Sequence, residues 1–268
     1  MPALKHPAQT LLENLDGFSV EIDPARERSD IILDRPPLNV ILMPQRDQLR
    51  LVFEALDLDP QVRVIVLRAK GEHFSSGGDI KGFLEASPEH VSKLAWNMAA
   101  PARCAKPVIA ANRGYTFGVG FEISLACDFR IASETTLYAL PEQKLGQIPG
   151  SGGSARLQKM VGIARTKDIV MRSRRIPGRQ AYEWGVAVEC VPDADLEKAT
   201  DALVDELRTF SPLAQRTAKK LLNDTEDSTL SVAIELEGHC YSRLRTSDDF
   251  REGVTAFHGK RRAEFKGS

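Results

Sequence analysis

Long apolar runs, paired cysteines and an excess of charge of either sign are all missing from this 268-residue sequence. No stretch approaches the roughly 20 apolar residues that cross a bilayer, so a membrane-spanning helix is not expected. Cys104, Cys127, Cys190 and Cys240 stand far apart, without a CxxC pair or a nearby histidine cluster. That spacing points away from a zinc site or a disulfide framework and towards ordinary buried thiols. With 36 basic against 37 acidic residues the formal net charge is −1, and aromatics make up only 6%. Neither a global field nor a basic stripe interleaved with aromatics is available to gather nucleic acid, so any anionic ligand has to be held by local donors. The amino-terminal MPALKHPAQTLLENLDG lacks a basic stretch followed by an apolar run and an obvious cleavage site, which makes the cytoplasm the expected compartment.

What is present suits an ordinary globular protein: 42% hydrophobic and 27% charged residues, enough for a substantial core. Strand patterns come early, at Phe18 to Ile22, Asp30 to Leu33 and the β-branched run Val62 to Leu67. Between them, Gln45 to Leu56 sets Leu49, Val52, Phe53 and Leu56 at helical spacing, which predicts a crossover helix and a βαβ unit. A helix over Glu89 to Arg103, a strand at Pro107 to Ala111, a short helix from about Gly118 and a strand at Asp128 to Ala132 continue the pattern. From about Asp195 the strand signals stop, and helices are predicted at Asp195 to Phe210, Pro212 to Leu222, Ser228 to Leu244 and Asp248 to Phe257. The expected organisation is an α/β core over residues 1–194, with mainly parallel strands, and an all-helical section over 195–268.

Three segments place glycine and carboxylate together at the ends of predicted elements: HFSSGGDIKGF from His73, RGYTFGVGFEISLACDFRIAS from Arg113 and LPEQKLGQIPGSGGSARL from Leu140. Gly77 and Gly78 let backbone approach a ligand, and Gly118 and Gly120 flank the start of a helix whose first N–H groups lack internal partners. Two such turns converging on one carbonyl would form an oxyanion hole, in which a single donor is worth about 3 to 4 kcal/mol. Taken alone, each glycine segment reads first as a tight turn, and Glu122 and Glu142 as first-turn helix carboxylates near a favourable dipole.

Taken jointly, FSSGGDIKGF, KPVIAANRGYTFGVGFEISLACDFRIAS and LPEQKLGQIPGSGGSARL resemble the crotonase (enoyl-CoA hydratase/isomerase) family in order and spacing. LDRPPLNV near residue 33 and RTSDDFREGVTAFHGKRRAEF near the end extend the resemblance over nearly the whole chain. It implies a spiral of ββα turns with carboxy-terminal helices that assemble homotrimers, often paired into hexamers. It further implies that the Gly78 and Val119 amides receive the thioester oxyanion, and that Ser76, Gly78, Asp79, Ile80 and Lys81 line the coenzyme A site. Glu122 and Glu142 match the two carboxylates of the hydratases, and the Gly150 amide helps to hold the water. The implied activity is hydration of an α,β-unsaturated acyl-CoA, with no metal or separate cofactor, since coenzyme A enters as part of the substrate. Isomerase and aryl hydratase-lyase chemistry share the same enolate and stay open as alternatives. RNA-binding relatives exist too, but the charge balance argues against that role.

Several positions depart from the family pattern. Arg113 stands where asparagine is frequent and reads as a surface or interface cation. Pro37 replaces a basic residue near the coenzyme phosphates, and Leu140 replaces a polar neighbour of the Pro-Glu pair, drying the acyl pocket. Phe83, Leu84, Trp96 and Leu140 are candidates for that pocket. Tyr241 reads as a helix-packing aromatic, Lys260 to Arg262 as a solvated basic run, and His73, His239 and His258 as structural or surface histidines.

Overall fold

The computed structural model describes residues 14–268, so the reading made of the first thirteen residues lies outside them. The chain opens with a hairpin, β1 (Phe18–Asp23) against β2 (Arg28–Leu33), whose register sets Phe18 opposite Leu33. Helix α1 (Met43–Leu58) then crosses over to β3 (Val64–Ala69), which runs parallel to β2. Two later strands, β4 (Val108–Asn112) and β6 (Phe129–Ser133), join in parallel, and β9 (Glu189–Val191) closes the sheet in the order β1-β2-β3-β4-β6-β9.

The central strands are covered on both faces, which is why β3 begins as an unbroken apolar run, Val64 to Leu67. Ile65, Leu67, Val108 and Ala110 pack towards α1 residues Leu49, Val52, Phe53 and Leu56. Their neighbours Val64, Val66, Ile109 and Ile131 face Leu196, Val204 and Leu207 of helix α9 (Leu196–Leu207). One alternating strand thus feeds two cores.

A second, smaller sheet sits beside the first. Its strands β5 (Tyr115–Phe117) and β7 (Leu137–Ala139) are parallel, and β8 (Ile176–Pro177) adds to β7 antiparallel. Strands β4 and β6 of the large sheet are each followed at once by a small-sheet strand and then a helix: β4, β5, α6 (Val119–Ala126), and then β6, β7 and α7 (Gly153–Met171). These are the expected ββα turns.

Two expectations need correction. The single helix over Glu89 to Arg103 is instead three short ones, α3 (Pro88–Ser92), α4 (Leu94–Met98) and α5 (Ala100–Arg103), after α2 (Ile80–Glu85). Pro101 cannot continue an α-helical ladder, and the backbone resets at Ala99 to φ −84°, ψ 0°. The cysteines are not uniformly buried: Cys104 and Cys127 are, whereas Cys190 and Cys240 are only partly so. Burial pushes the first two thiols up to about 12, so they stay protonated.

After α8 (Gly178–Glu183) and α9 come α10 (Pro212–Thr225), α11 (Leu230–Leu244) and α12 (Asp248–His258). Ser211 and Ser247 cap α10 and α12 by accepting the Ala214 and Phe250 amides at 3.0 Å. Lys219 pins α10 to the core by donating to Asp128 Oδ2 at 2.7 Å, to the Pro101 carbonyl at 2.8 Å and to the Lys106 carbonyl at 2.9 Å. Asp128 also accepts the Val108 amide at 2.7 Å, tying the same group to the start of β4.

Removing the lysine should therefore loosen the helical region from the sheet. Lys219→Met is expected to lose about 3 kcal/mol at neutral pH, because it strands a mostly buried carboxylate. Burial already raises the Asp128 pKa and Lys219 opposes that rise, so the variant raises it further. A raised folded-state carboxylate loses stability as pH rises, so the deficit should shrink in acid. Urea unfolding at pH 5 and pH 8 measures it, and an equal deficit at both would contradict the ion-pair account.

Candidate active site

Parallel strands β5 and β7 end level with each other, Phe117 opposite Ala139. The segments leaving the two strands therefore emerge side by side: Gly118-Val119 from β5, and Leu140-Pro141-Glu142 from β7. The Gly118 amide donates to the Ala139 carbonyl at 3.0 Å, extending the ladder by one step. On the other side of β5 lies the segment after β3. Its Ser75 amide donates to the Tyr115 carbonyl at 2.8 Å, and the Phe117 amide returns to the Ser75 carbonyl at 2.9 Å. Gly77 is thereby set against Gly118, where a side-chain methyl would stand 3.7 Å from the Gly77 Cα.

Gly118 has φ +50° and ψ −126°, a backbone only glycine adopts cheaply, and this turn starts α6 with the Val119 amide at its first position. Gly77 has φ +118° and directs its amide to Ser75 Oγ at 3.2 Å while its carbonyl accepts the Ile41 amide at 2.9 Å. Among the described residues, the Gly78 and Val119 amides have no acceptor. Two unengaged N–H groups on touching turns can receive one oxyanion.

Glu122 lies one turn into α6, a helix buried on every side, and is itself 3% exposed. Its Oε1 accepts the Ser151 amide at 2.7 Å and the Gly153 amide at 3.1 Å, where the chain turns into α7. Gly153 must be small, since a methyl there would meet Glu122 Cγ at 2.9 Å and Leu140 Cδ2 at 3.0 Å. Burial raises the Glu122 pKa, opposed by the two amides and by the charge of Arg46.

Glu142 sits half-buried at the start of a 3-10 turn (Glu142–Leu145), with Oε1 3.0 Å from where a Gly118 methyl would stand. Its Oε2 is buried without a hydrogen-bond partner. Burial first, and then the charge of Glu122, push its carboxyl up to about 7, against the lowering by its own amide. Two carboxylates thus face the paired glycine turns, one anchored by N–H groups and the other holding its proton to near neutrality. Among the described residues, no cluster of His, Cys, Asp or Glu has the arrangement of a metal site, and no helix is long and apolar enough to cross a membrane.

The sequence model for enoyl-CoA hydratase/isomerase matches residues 29–268. The chain belongs to the enoyl-CoA hydratase/isomerase family. It is 37% identical over 245 residues to a protein named probable enoyl-CoA hydratase from Rhizobium meliloti (strain 1021), covering 88% of this chain and 93% of that protein. It is 35% identical to carnitinyl-CoA dehydratase of Proteus mirabilis (strain HI4320), over 89% of this chain and 94% of that protein. A crystal structure of enoyl-CoA hydratase from Bacillus anthracis superposes with a TM-score of 0.89 at 31% identity, over 94% of this chain and all of that one. The crotonase fold expected from the motifs is therefore the fold of this chain.

Gly78, Val119, Glu122 and Glu142 lie on adjoining segments, and the remaining expected positions flank them in the chain. Asp79 is occupied as the cap of α2, accepting the Lys81 and Gly82 amides at 3.1 and 3.2 Å. Ile80 is 55% exposed, Ser76 donates its amide to the Leu38 carbonyl, and Gly150 is exposed just before the Ser151 and Gly153 amides that hold Glu122. Phe83 and Leu140 lie at the site, while Leu84 is 89% exposed and Trp96 lines a separate cavity of about 890 Å³ with Met160 and Leu222. Arg113 pairs with Glu197 at 3.3 Å, as a surface cation would, and His73 stacks on Tyr115. Within the basic run Arg261 is fixed by Glu252, and Tyr241 is exposed rather than packed. Sequence reading missed the anchoring amides of Ser151 and Gly153, and it missed Arg46. That arginine falls on the apolar stripe of α1, three residues before Leu49 and seven before Phe53, which is a signal in itself.

A raised carboxyl carries a stability cost with a definite sign. Folded-state stability from Glu142 is fully present below its ordinary range, near 4.5, and is lost as pH rises through about 7. Glu142→Gln should therefore match wild type near pH 5 and exceed it at pH 8.5, by on the order of 2 kcal/mol after discounting for partial exposure. Thermal unfolding of both proteins at the two pH values checks this, and a variant less stable at pH 8.5 would contradict it.

Proposed function

We propose that this protein is a hydro-lyase that adds water across the double bond of an α,β-unsaturated acyl-CoA. The observation that carries the reading is the approach of two differently held carboxylates to a pair of unengaged amides. The thioester carbonyl would lie between the Gly78 and Val119 amides, which take up the charge that water attack pushes onto its oxygen. Glu122, whose charge two N–H groups support, removes a proton from water as its oxygen bonds to C3. Glu142, which keeps its proton to near neutrality, delivers that proton to C2 of the enolate. Water is consumed whole: hydroxide to C3, its proton to Glu122, and the Glu142 proton to C2, after which the two carboxyls exchange a proton to reset. Ser76 to Lys81 would line the coenzyme A side, and Gly150 the water side.

The same reading extends to assembly. Leu230, Ile234 and Tyr241 are exposed along α11, and such residues seek a partner's apolar surface. A homotrimer, alone or paired into a hexamer, is the expected state. Light scattering that returned a monomer at working concentration would refute it.

Glu122→Gln and Glu142→Gln should each lower kcat for a short enoyl-CoA by roughly a hundred- to ten-thousandfold with KM little changed. The double variant should lose far less than the product, because both groups serve one water. Wild-type turnover should fall above pH 7, where Glu142 loses the proton that C2 needs. Near-normal hydration by either variant would refute the two-carboxylate mechanism. If migration of a 3-enoyl-CoA double bond survived in that variant, a one-carboxylate isomerase would take its place.

A further inference from the structure

Arg46 is a buried charged residue whose guanidinium has no hydrogen-bonded or ion-paired partner among the described residues. It lies in the first turn of α1 at 2% exposure, among the largest fully buried side chains of the protein. Its Nε is buried without a hydrogen-bond partner, and among the described residues its guanidinium makes no hydrogen bond or ion pair. Burial pushes it down to about 10, against the raising effect of Glu122, so it stays charged at neutral pH. A guanidinium donor buried unmatched, as Nε is here, carries a free-energy cost that an arriving partner for the cation would offset.

The position of the group says where that partner would come from. A methyl on Gly78 would stand 2.5 Å from Arg46 Nη2 and 2.9 Å from Phe83 Cε2. The guanidinium carbon lies 5.0 Å from the centre of the Phe83 ring, a cation–π contact that fixes its plane but uses none of its donors. Gly78 has no left-handed φ to explain its being glycine, so its lack of a side chain is what leaves room for the arginine. The cation thus lies against the turn that offers the Gly78 amide and near enough to Glu122 to influence it. It touches neither carboxylate.

We propose that Arg46 sets acyl specificity by pairing with a carboxylate carried on the acyl group of the thioester, beyond the carbons that react. The proposal rests on the acyl-CoA reading above. A carboxylate is the ligand group that fits, since its planar oxygens take two guanidinium donors at once and cancel a buried charge. The same cation rejects an acyl group that ends in a quaternary ammonium, so this chain should not share the substrate named for its carnitinyl-CoA dehydratase relative.

The test compares three 2-enoyl-CoA probes: glutaconyl-CoA, which ends in a carboxylate, pent-2-enoyl-CoA, which ends in a methyl, and a trimethylammonium-ended thioester. Wild type should prefer the carboxylate probe over the methyl probe in kcat/KM by roughly tenfold or more, and the ammonium probe should rank last. Arg46→Met should erase that order, and Arg46→Lys should keep most of it. A wild type with no preference for the carboxylate probe would overturn the proposal, and so would an Arg46→Met variant that slowed all probes equally, which is the signature of a mere counter-ion to Glu122. Calorimetric binding of saturated glutaryl-CoA and pentanoyl-CoA separates this from the hydration reading, because it needs no chemistry. Tighter glutaryl binding without turnover of any enoyl probe would sink hydration and support Arg46; turnover without that preference would do the reverse. The wild-type comparisons decide the matter even if the variants fail to fold.

Discussion

The parallel pairing of β5 with β7 is the constraint on which the site depends. Each strand has three residues, too few to be stable alone, and together they are held by the segment at Ser75 and by β8. Because parallel strands end on the same side, the chain leaving Phe117 and the chain leaving Ala139 must pass each other. A helix start with a bare amide and a turn bearing Glu142 are the result. The large sheet contributes indirectly, by spacing β4 and β6 as hydrogen-bonded neighbours so that the strands following them also pair.

Local chemistry then distinguishes two glutamates that composition cannot. Both lose water on folding, which alone would raise both pKa values. Glu122 receives two amides in return and senses two cations, Arg46 and Arg156, the latter itself lowered by burial. Glu142 has an unpartnered oxygen and a like charge nearby. The two amides and the Arg46 charge thus favour the ionised form of Glu122, while burial and its neighbour's charge favour the neutral form of Glu142.

The first five strands of the large sheet are legible in the sequence to within about two residues, most plainly β3, whose burial on both faces keeps Val64 to Leu67 continuously apolar, whereas the three-residue edge strand β9 is not. The small-sheet strands were not, since three residues cannot display an alternating period. The break of the helix before Arg103 depended on how far Pro101 would disrupt its neighbours, which spacing alone does not decide. At the site, Gly78, Val119, Glu122 and Glu142 are singled out by the resemblance of their motifs to the family, since each glycine turn and each carboxylate alone has an ordinary local explanation. The amides of Ser151 and Gly153 were not, because a backbone donor has no residue-type signature. Arg46 occupied a middle ground: its place on the α1 stripe was visible, but only the fold shows that the stripe's first turn ends beside Gly78.

Conformation and packing make different demands on glycine here, and the difference bears on what the family fold can be made to do. At Gly77 and Gly118 the positive φ belongs to the turns themselves, so glycine there is required by the backbone whatever the turns bind. Gly78 has ordinary backbone, and what a side chain there would strike is Arg46 and Phe83. Its requirement is therefore set by the pocket's contents rather than by the reaction. Backbone N–H groups leave side-chain positions free to vary, and the unengaged Val119 amide is offered by the main chain whatever the side chain. A scaffold that offers its free donors from the main chain can keep them in place while side chains around the turn, such as Arg46 and Phe83, vary.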